Sequence, residues 1–324
     1  MASKRRSNAL SMDELKVTGA NITVNLTLEE AIGAFIDDCH LRNLRPQTVK
    51  YYNNEFNAFK GTLRALGVEI NFINNLTAEI IKTVIRHMQA SDIKPVTINT
   101  RLTALKAFCN YLEKNDYIKA NPMKSVSMLR EHAEVIEVLT EEELAKLLQA
   151  PDLTTFTGYR DYCILSLFIE CGLRVSELIG IAVEDINLHN GTIVIKHAKT
   201  FQRTLPIQSR MREILQRYIA IRGEVNCKEL FITVDEKPLS RRQVQNRLAT
   251  YGKKIGKNVS PHLIRHSFAR LCVIQGMDAF TLMALLGHTD ITITKRYVHL
   301  FSEDVQEVHK QMSPLNKVTG RKRI

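Results

Sequence analysis

The sequence predicts a mainly α-helical chain with one small antiparallel β-sheet, divided into an all-α front domain and a mixed α/β rear domain. Three observations predict it. Apolar residues recur at helical spacing in four consecutive segments before Asn121-Pro122. The strand signals are confined to 183–207, around the turn Asn190-Gly191. Between the two halves, residues 123–138 show no clean period and read as a linker.

Residues 1–24 are polar and basic and read as a flexible arm. The first helix follows Thr27, a plausible cap, and carries Leu28, Ala31, Ile32, Phe35 and Ile36 on one face. The second follows Pro46 (Val49, Tyr52, Phe56, Phe59), and the third follows Thr77 (Ile80, Ile81, Val84, Ile85, Met88). Pro95 opens the fourth (Ile98, Leu102, Leu105, Phe108, Leu112). Residues 25–122 therefore form the front domain and 139–312 the rear one, with a basic tail at 313–324. In the rear domain, Thr140 and Glu143 have capping-box spacing. The run 159–171 is apolar almost all round, as a core helix should be, and stops at Gly172. Thr192–Ile195 and Arg203–Ile207 complete a three-stranded sheet. Helices resume at 209–222, and Ser240 can cap another.

The composition of the 324 residues, 44% apolar and 24% charged, excludes general disorder. No stretch reaches the ~18 consecutive apolar residues of a membrane span. The N-terminal basic run lacks the apolar core of a secretory signal. The six cysteines are scattered without a C-x-x-C pair, as buried free thiols in a reducing cytosol would be. The net charge of +11 points to a polyanion, either nucleic acid or an anionic membrane surface. Residues 237–257 hold seven Lys and Arg and no acid. That stretch is either a solvated basic face or a helix for the DNA major groove, where Gln243, Gln245 and Asn246 could reach base edges.

Five short segments of the rear half carry chemistry. Arg174 follows a buried helix and its glycine stop, where a guanidinium needs an anion. Glu177 supplies one, either in a structural pair or as an orienter of Arg174 toward a phosphate. Lys199 sits on the second hairpin turn. His262 and Arg265 share one helix face behind the Ser260 cap and Pro261, at the positive helix end that welcomes phosphate. His288 follows Leu286-Gly287, and Tyr297 lies in a short polar stretch. Two arginines, a lysine, two histidines and a tyrosine suit metal-free phosphoryl transfer through a phosphotyrosine. Guanidiniums neutralise the charge that builds on the non-bridging oxygens, and a tyrosine needs a group to take its proton. No Asp/Glu cluster of the kind a metal nuclease uses lies beside these segments.

In this order and spacing the residues resemble the tyrosine recombinase (phage integrase, Xer-like) family. The likeness runs over about 25–310: GLRVSEL at 172–178, Lys199, HLIR at 262–265, LGH at 286–288 and Tyr297. In the front half it includes LRPQTVKYY at 44–52 and TINTRLTALKAFCNYL at 97–112. The hairpin sequence His197–Arg203 departs from the glycine-rich loop of Xer proteins. Arg203 stays protonated and cannot replace Lys199 as an acid.

The resemblance implies a four-helix, SAM-like core-binding domain and a tyrosine recombinase catalytic domain ending in an exchange helix at 300–312. It implies that Tyr297 attacks the scissile phosphate, Arg174 and Arg265 hold its oxygens, and Lys199 protonates the leaving 5′-oxygen. His262 assists proton transfer at Tyr297, His288 hydrogen-bonds the phosphate, and Glu177 orients Arg174. No metal or cofactor is implied. The implied partners are double-stranded DNA with inverted-repeat core sites, a homotetramer on that DNA, and accessory DNA-bending or directionality proteins. Arg45, Lys50, Arg101, Lys106, Arg241, Arg242, Arg247, Lys253 and Lys254 are the expected DNA contacts. The expected location is the bacterial cytosol, at the nucleoid. The basic arm and tail and the unusual hairpin tilt the expected role toward an integrase, transposase or resolvase of a mobile element, with a Xer-like dimer resolvase as the alternative.

Overall fold

A computed structural model describes residues 26–131, 137–196 and 202–287. The arm at 1–24, Lys199, His288, Tyr297 and the segments 300–312 and 313–324 lie outside the described residues. The chain divides into two compact units at 133/134, a point inside the segment 123–138.

The first unit holds α1 (Leu28–Leu41), α2 (Pro46–Ala65), α3 (Ala78–Ala90) and α4 (Pro95–Lys114). Their starts follow local chemistry. Thr27 and Glu30 close a reciprocal capping box on α1, Thr77 caps α3, and prolines occupy the first turns of α2 and α4. The expected apolar stripes face inward, with Ile36, Tyr52 and Ile80 only half-buried. At the centre Phe35 meets Tyr52, Phe56, Phe108 and Tyr111 edge to face, with ring centroids 4.9, 5.6, 5.7 and 5.4 Å away.

Part of the segment read as a linker is bound to this unit. The buried Asn99 of α4 clamps the Leu129 backbone, donating to its O at 2.9 Å and accepting from its N–H at 2.8 Å. Its amide also donates to Glu131. Met123 is buried in the core of this unit, and Val126 and Leu129 pack against it, over a stretch too short to show a helical period.

The second unit begins with α5 (Glu141–Gln149), whose Thr140–Glu143 capping box forms as the spacing predicts. α6 (Phe156–Cys171) starts before the expected 159, because Thr155 caps it. α7 (Val175–Ile179) follows. The antiparallel sheet, in the order β1 (Ile186–Asn187), β2 (Thr192–Ile195), β3 (Arg203–Pro206), pairs Ile193 with Ile186 and Leu205, and Ile195 with Arg203. Then come α8 (Ser209–Arg222), α9 (Arg241–Lys254), α10 (Pro261–Ile274) and α11 (Ala279–Leu286). α6 packs against both α8 and α10. Among its buried residues are Cys163, Leu165, Leu167 and Phe168, as its all-round apolar pattern requires. A smaller cluster of Phe268, Ala269, Cys272, Leu282 and Leu286 seats α11 on α10.

Five of the six cysteines are buried and Cys227 is half-buried. Burial pushes the Cys109 and Cys171 thiols up to about 12, so these are packing residues rather than nucleophiles. No helix among the described residues is long and apolar enough to cross a membrane.

Candidate active site

The site is built around the last turn of α11. Gly287 ends that helix in the left-handed conformation (φ +63°), which exposes the carbonyls of residues 285–287. Three arginines from distant segments meet these carbonyls. Arg174 donates to Leu286 O (3.2 Å) and Gly287 O (3.3 Å). Arg265 donates to Leu286 O at 2.8 Å, and Arg203 donates through Nε to Leu285 O at 3.1 Å. The negative end of a helix suits cations, so the arrangement is held by charge as well as geometry.

Each arginine is aimed by its own element. Gly172 stops α6 at φ +58°, where a side chain is strained, and an added Cβ would lie 2.3 Å from the Phe268 ring. The tight exit puts Arg174 at the cap of α7. It also leaves Gly172 O accepting from Arg265 Nη1 at 2.7 Å. Arg265 is buried on the second turn of α10, while Arg174 keeps 22% of its side chain exposed. Glu177 is fully buried and takes hydrogen bonds from both Arg174 and Arg203. It therefore forms the structural pair with Arg174, and its second partner Arg203 was not anticipated from the sequence. The signal lay in the strand alternation, which puts Arg203 on the inward face with Leu205.

His262, one turn before Arg265, remains exposed to solvent. The protein packed around it, followed by the charges of Arg265, Arg174 and Arg241, lowers its pKa below the ordinary histidine value. It is therefore neutral at neutral pH and able to take a proton. Cleavage measured at subsaturating protein reports ionisations of the free protein, so its acid limb should lie below pH ~6.5. The rate should fall as pH drops through the lowered pKa, and His262→Asn should abolish that limb. A limb that survives the substitution unchanged would assign the proton transfer elsewhere.

Lys196, at the end of β2, pairs with Glu184 Oε1 at 3.1 Å and Asp185 Oδ1 at 2.5 Å. It is thereby occupied, while Lys199 lies outside the described residues.

The expected DNA contacts divide. Arg45, Lys50, Lys106, Arg241, Arg242, Lys253 and Lys254 are exposed, and Gln245 and Asn246 are exposed on α9 as well. Two of the nine meet carboxylates of the protein itself. Arg247 donates through Nε to Asp161 Oδ2 at 2.5 Å and also to Tyr251, and Arg101 faces Glu55 at 3.8 Å. Stretch 237–257 has no acid of its own, but packing brings one from α6 to Arg247 and brings Glu143 to Lys257. Gln243 accepts from the Ser240 backbone in a capping box, so its carbonyl oxygen is not a free base reader.

Comparison with known proteins follows this geometry. The phage integrase family matches residues 137–304, and the phage integrase N-terminal SAM-like domain matches 35–116. The chain is 31% identical over 285 residues to a tyrosine recombinase XerC of Thermodesulfovibrio yellowstonii, covering 83% of this chain and 91% of that protein. It is 27% identical over 280 residues to a tyrosine recombinase XerD of Staphylococcus epidermidis, covering 84% and 94%. A lambda integrase dimer bound to a COC′ core site aligns with a TM-score of 0.70 at 18% identity, over 87% of this chain and 80% of that one. The Tn1549 transposon integrase in complex with transposon right end DNA aligns at 0.72 and 19% identity, over 87% and 99%. At such identities the structures establish the fold, and the family matches establish the kinship.

Proposed function

We propose that this chain, which belongs to the phage integrase family of tyrosine recombinases and so cleaves and rejoins DNA strands, is a site-specific recombinase working through a 3′-phosphotyrosine and a Holliday junction. The observation that carries the reading is the convergence of Arg174 and Arg265 on the Leu286 carbonyl, with His262 near enough to feel both charges. Two guanidiniums next to a neutral imidazole fit a phosphodiester under attack.

In this mechanism the Tyr297 hydroxyl attacks phosphorus and gives its proton to His262. The bond to the 5′-oxygen breaks, and Lys199 protonates that oxygen. Arg174 and Arg265 neutralise the non-bridging oxygens, and His288 adds a hydrogen bond. The phosphotyrosine keeps the bond energy, so attack by another strand's 5′-hydroxyl reverses the step and frees Tyr297. The reaction calls for no metal or cofactor. The substrate is double-stranded DNA with inverted-repeat core sites in the bacterial cytosol, bound by a homotetramer. A structural neighbour, a lambda integrase tetramer bound to a Holliday junction, supports that assembly. Accessory DNA-bending or directionality proteins are further partners.

Likeness to XerC and XerD over most of both chains supports a dimer-resolving role. The hairpin His197–Arg203 favours the second reading, an integrase, transposase or resolvase of a mobile element. Loss of the gene would leave joined replicons in the first case and an element that cannot excise in the second.

The test is a nicked suicide duplex built on the sequence that the protein selects from a random pool. A covalent adduct should form without metal, and its DNA-linked peptide should contain Tyr297. No adduct, or one on another residue, would overturn the reading. Relaxation of any supercoiled plasmid without sequence preference would point to a topoisomerase-like swivelase instead.

A further inference from the structure

We propose that Arg203 is a positioning residue of the reaction: it neutralises Glu177, so that Arg174 presents an uncancelled positive charge to the scissile phosphate. The inference rests on the reading above that Arg174 holds that phosphate.

The geometry is a three-membered ion cluster. Glu177 Oε1 accepts from Arg174 Nη1 (2.9 Å) and Arg203 Nη1 (3.0 Å). Its Oε2 accepts from Arg203 Nη2 (2.9 Å) and from the Arg174 backbone N–H (3.0 Å). Arg203 therefore takes the carboxylate with both nitrogens of its fork, and Arg174 with one. Burial alone would raise the Glu177 carboxyl. The hydrogen bonds from Arg203 and from Arg174 outweigh it, and the group lies below the ordinary carboxylate range. The cluster thus holds one anion and two cations.

The surplus charge sits on Arg174 because Arg203 is the better-matched and deeper partner. Its side chain is 5% exposed against 22% for Arg174. Without Arg203, the buried carboxylate would turn wholly on Arg174, and the pair would offer a phosphate no net charge. Arg203 also reaches the end of α11. Besides its bond to Leu285 O, its Nη1 would lie 2.6 Å from a Cβ on Gly287, so the glycine there makes room for the guanidinium. One side chain on β3 thereby fixes α7 and α11 together, the elements that carry Arg174 and lead to residue 288.

Arg203→Met, Arg203→Lys and the double variant Arg203→Met/Glu177→Gln test the proposal by single-turnover cleavage. Two suicide duplexes are compared, one with the natural phosphodiester and one with a methylphosphonate at the scissile position, which has no non-bridging charge to neutralise. Arg203→Met should cleave the natural duplex about 10²-fold more slowly. It should approach the wild-type rate on the methylphosphonate. Arg203→Lys keeps the charge and should stay within about 10-fold of wild type. The double variant removes one charge of each sign and should recover at least about 10-fold over Arg203→Met. Should Arg203→Met fail to fold, the lysine and double variants carry the comparison.

Equal losses on both duplexes, or a lysine variant as impaired as methionine, would leave Arg203 a packing residue and overturn the proposal. Arg174→Ala on the same two duplexes separates the premise. If it too loses equally on both, the reading of Arg174 fails. If it is rescued and Arg203→Met is not, only the present inference fails.

Discussion

Arg265→Ala should slow strand cleavage by about 10²–10³-fold while leaving affinity for DNA nearly unchanged. The affinity is spared because one phosphate contact among many contributes little to binding. The rate suffers because the guanidinium serves charge that grows in the transition state. The substitution also removes the donor that Gly172 O and Leu286 O share, so the melting temperature should drop. Leu286 O keeps its bond from Arg174, but losing the partner of the buried Gly172 carbonyl costs about 1–3 kcal/mol. Arg265→Lys separates the two effects. It keeps the charge and most of the packing, but a single ammonium cannot span both carbonyls and a phosphate. It should therefore melt closer to wild type than Arg265→Ala and still cleave well below wild type. Single-turnover cleavage beside a thermal melt decides this, and a full cleavage rate in either variant would remove Arg265 from the phosphate.

Tyr297→Phe should bind the selected duplex normally and yield no covalent adduct, with cleavage reduced by at least about 10⁴-fold. Phenylalanine keeps the ring and removes only the hydroxyl. The arginines, His262 and the binding surface would remain, but no protein oxygen would be placed to attack phosphorus. A denaturing gel of the suicide-duplex reaction, beside a binding titration, reads both halves of the expectation. An undiminished adduct in this variant would mean that another residue is the nucleophile. Of the large effects expected here, this one follows from the sequence pattern alone, since Tyr297 lies outside the described residues.

The two arginine predictions differ from it in origin. Arg174 and Glu177 are three residues apart, so their pairing is legible in a sequence. Arg203 lies in a strand beyond a hairpin, and its meeting with Glu177 exists only once β3 packs against α7. The same distinction explains Arg247. A window of 21 residues without an acid reads as a cationic face, yet Asp161 arrives from a helix 86 positions away. Lys253 and Lys254 stay exposed, and Lys254 donates to the Ala150 carbonyl at 2.9 Å.

Helix starts, helix stops and the inward stripes were written in the sequence because their causes act over a few residues. The Thr27–Glu30, Thr140–Glu143 and Ser240–Gln243 caps close within one turn. Gly172 and Gly287 mark helix ends by a backbone conformation that side chains resist. The order of arginine, lysine, histidine and tyrosine segments likewise stood in the sequence and identified the chemistry. Only the tertiary structure decided how charge is distributed among those groups. Coulombic and hydrogen-bond partners are chosen by proximity in space, and α11, β3 and α7 become neighbours only through the packed core beneath them. The sequence therefore determined that this chain carries the residue pattern of a strand-transferring family. The fold decided that one buried carboxylate is shared by two arginines, and which of the two is left facing outward.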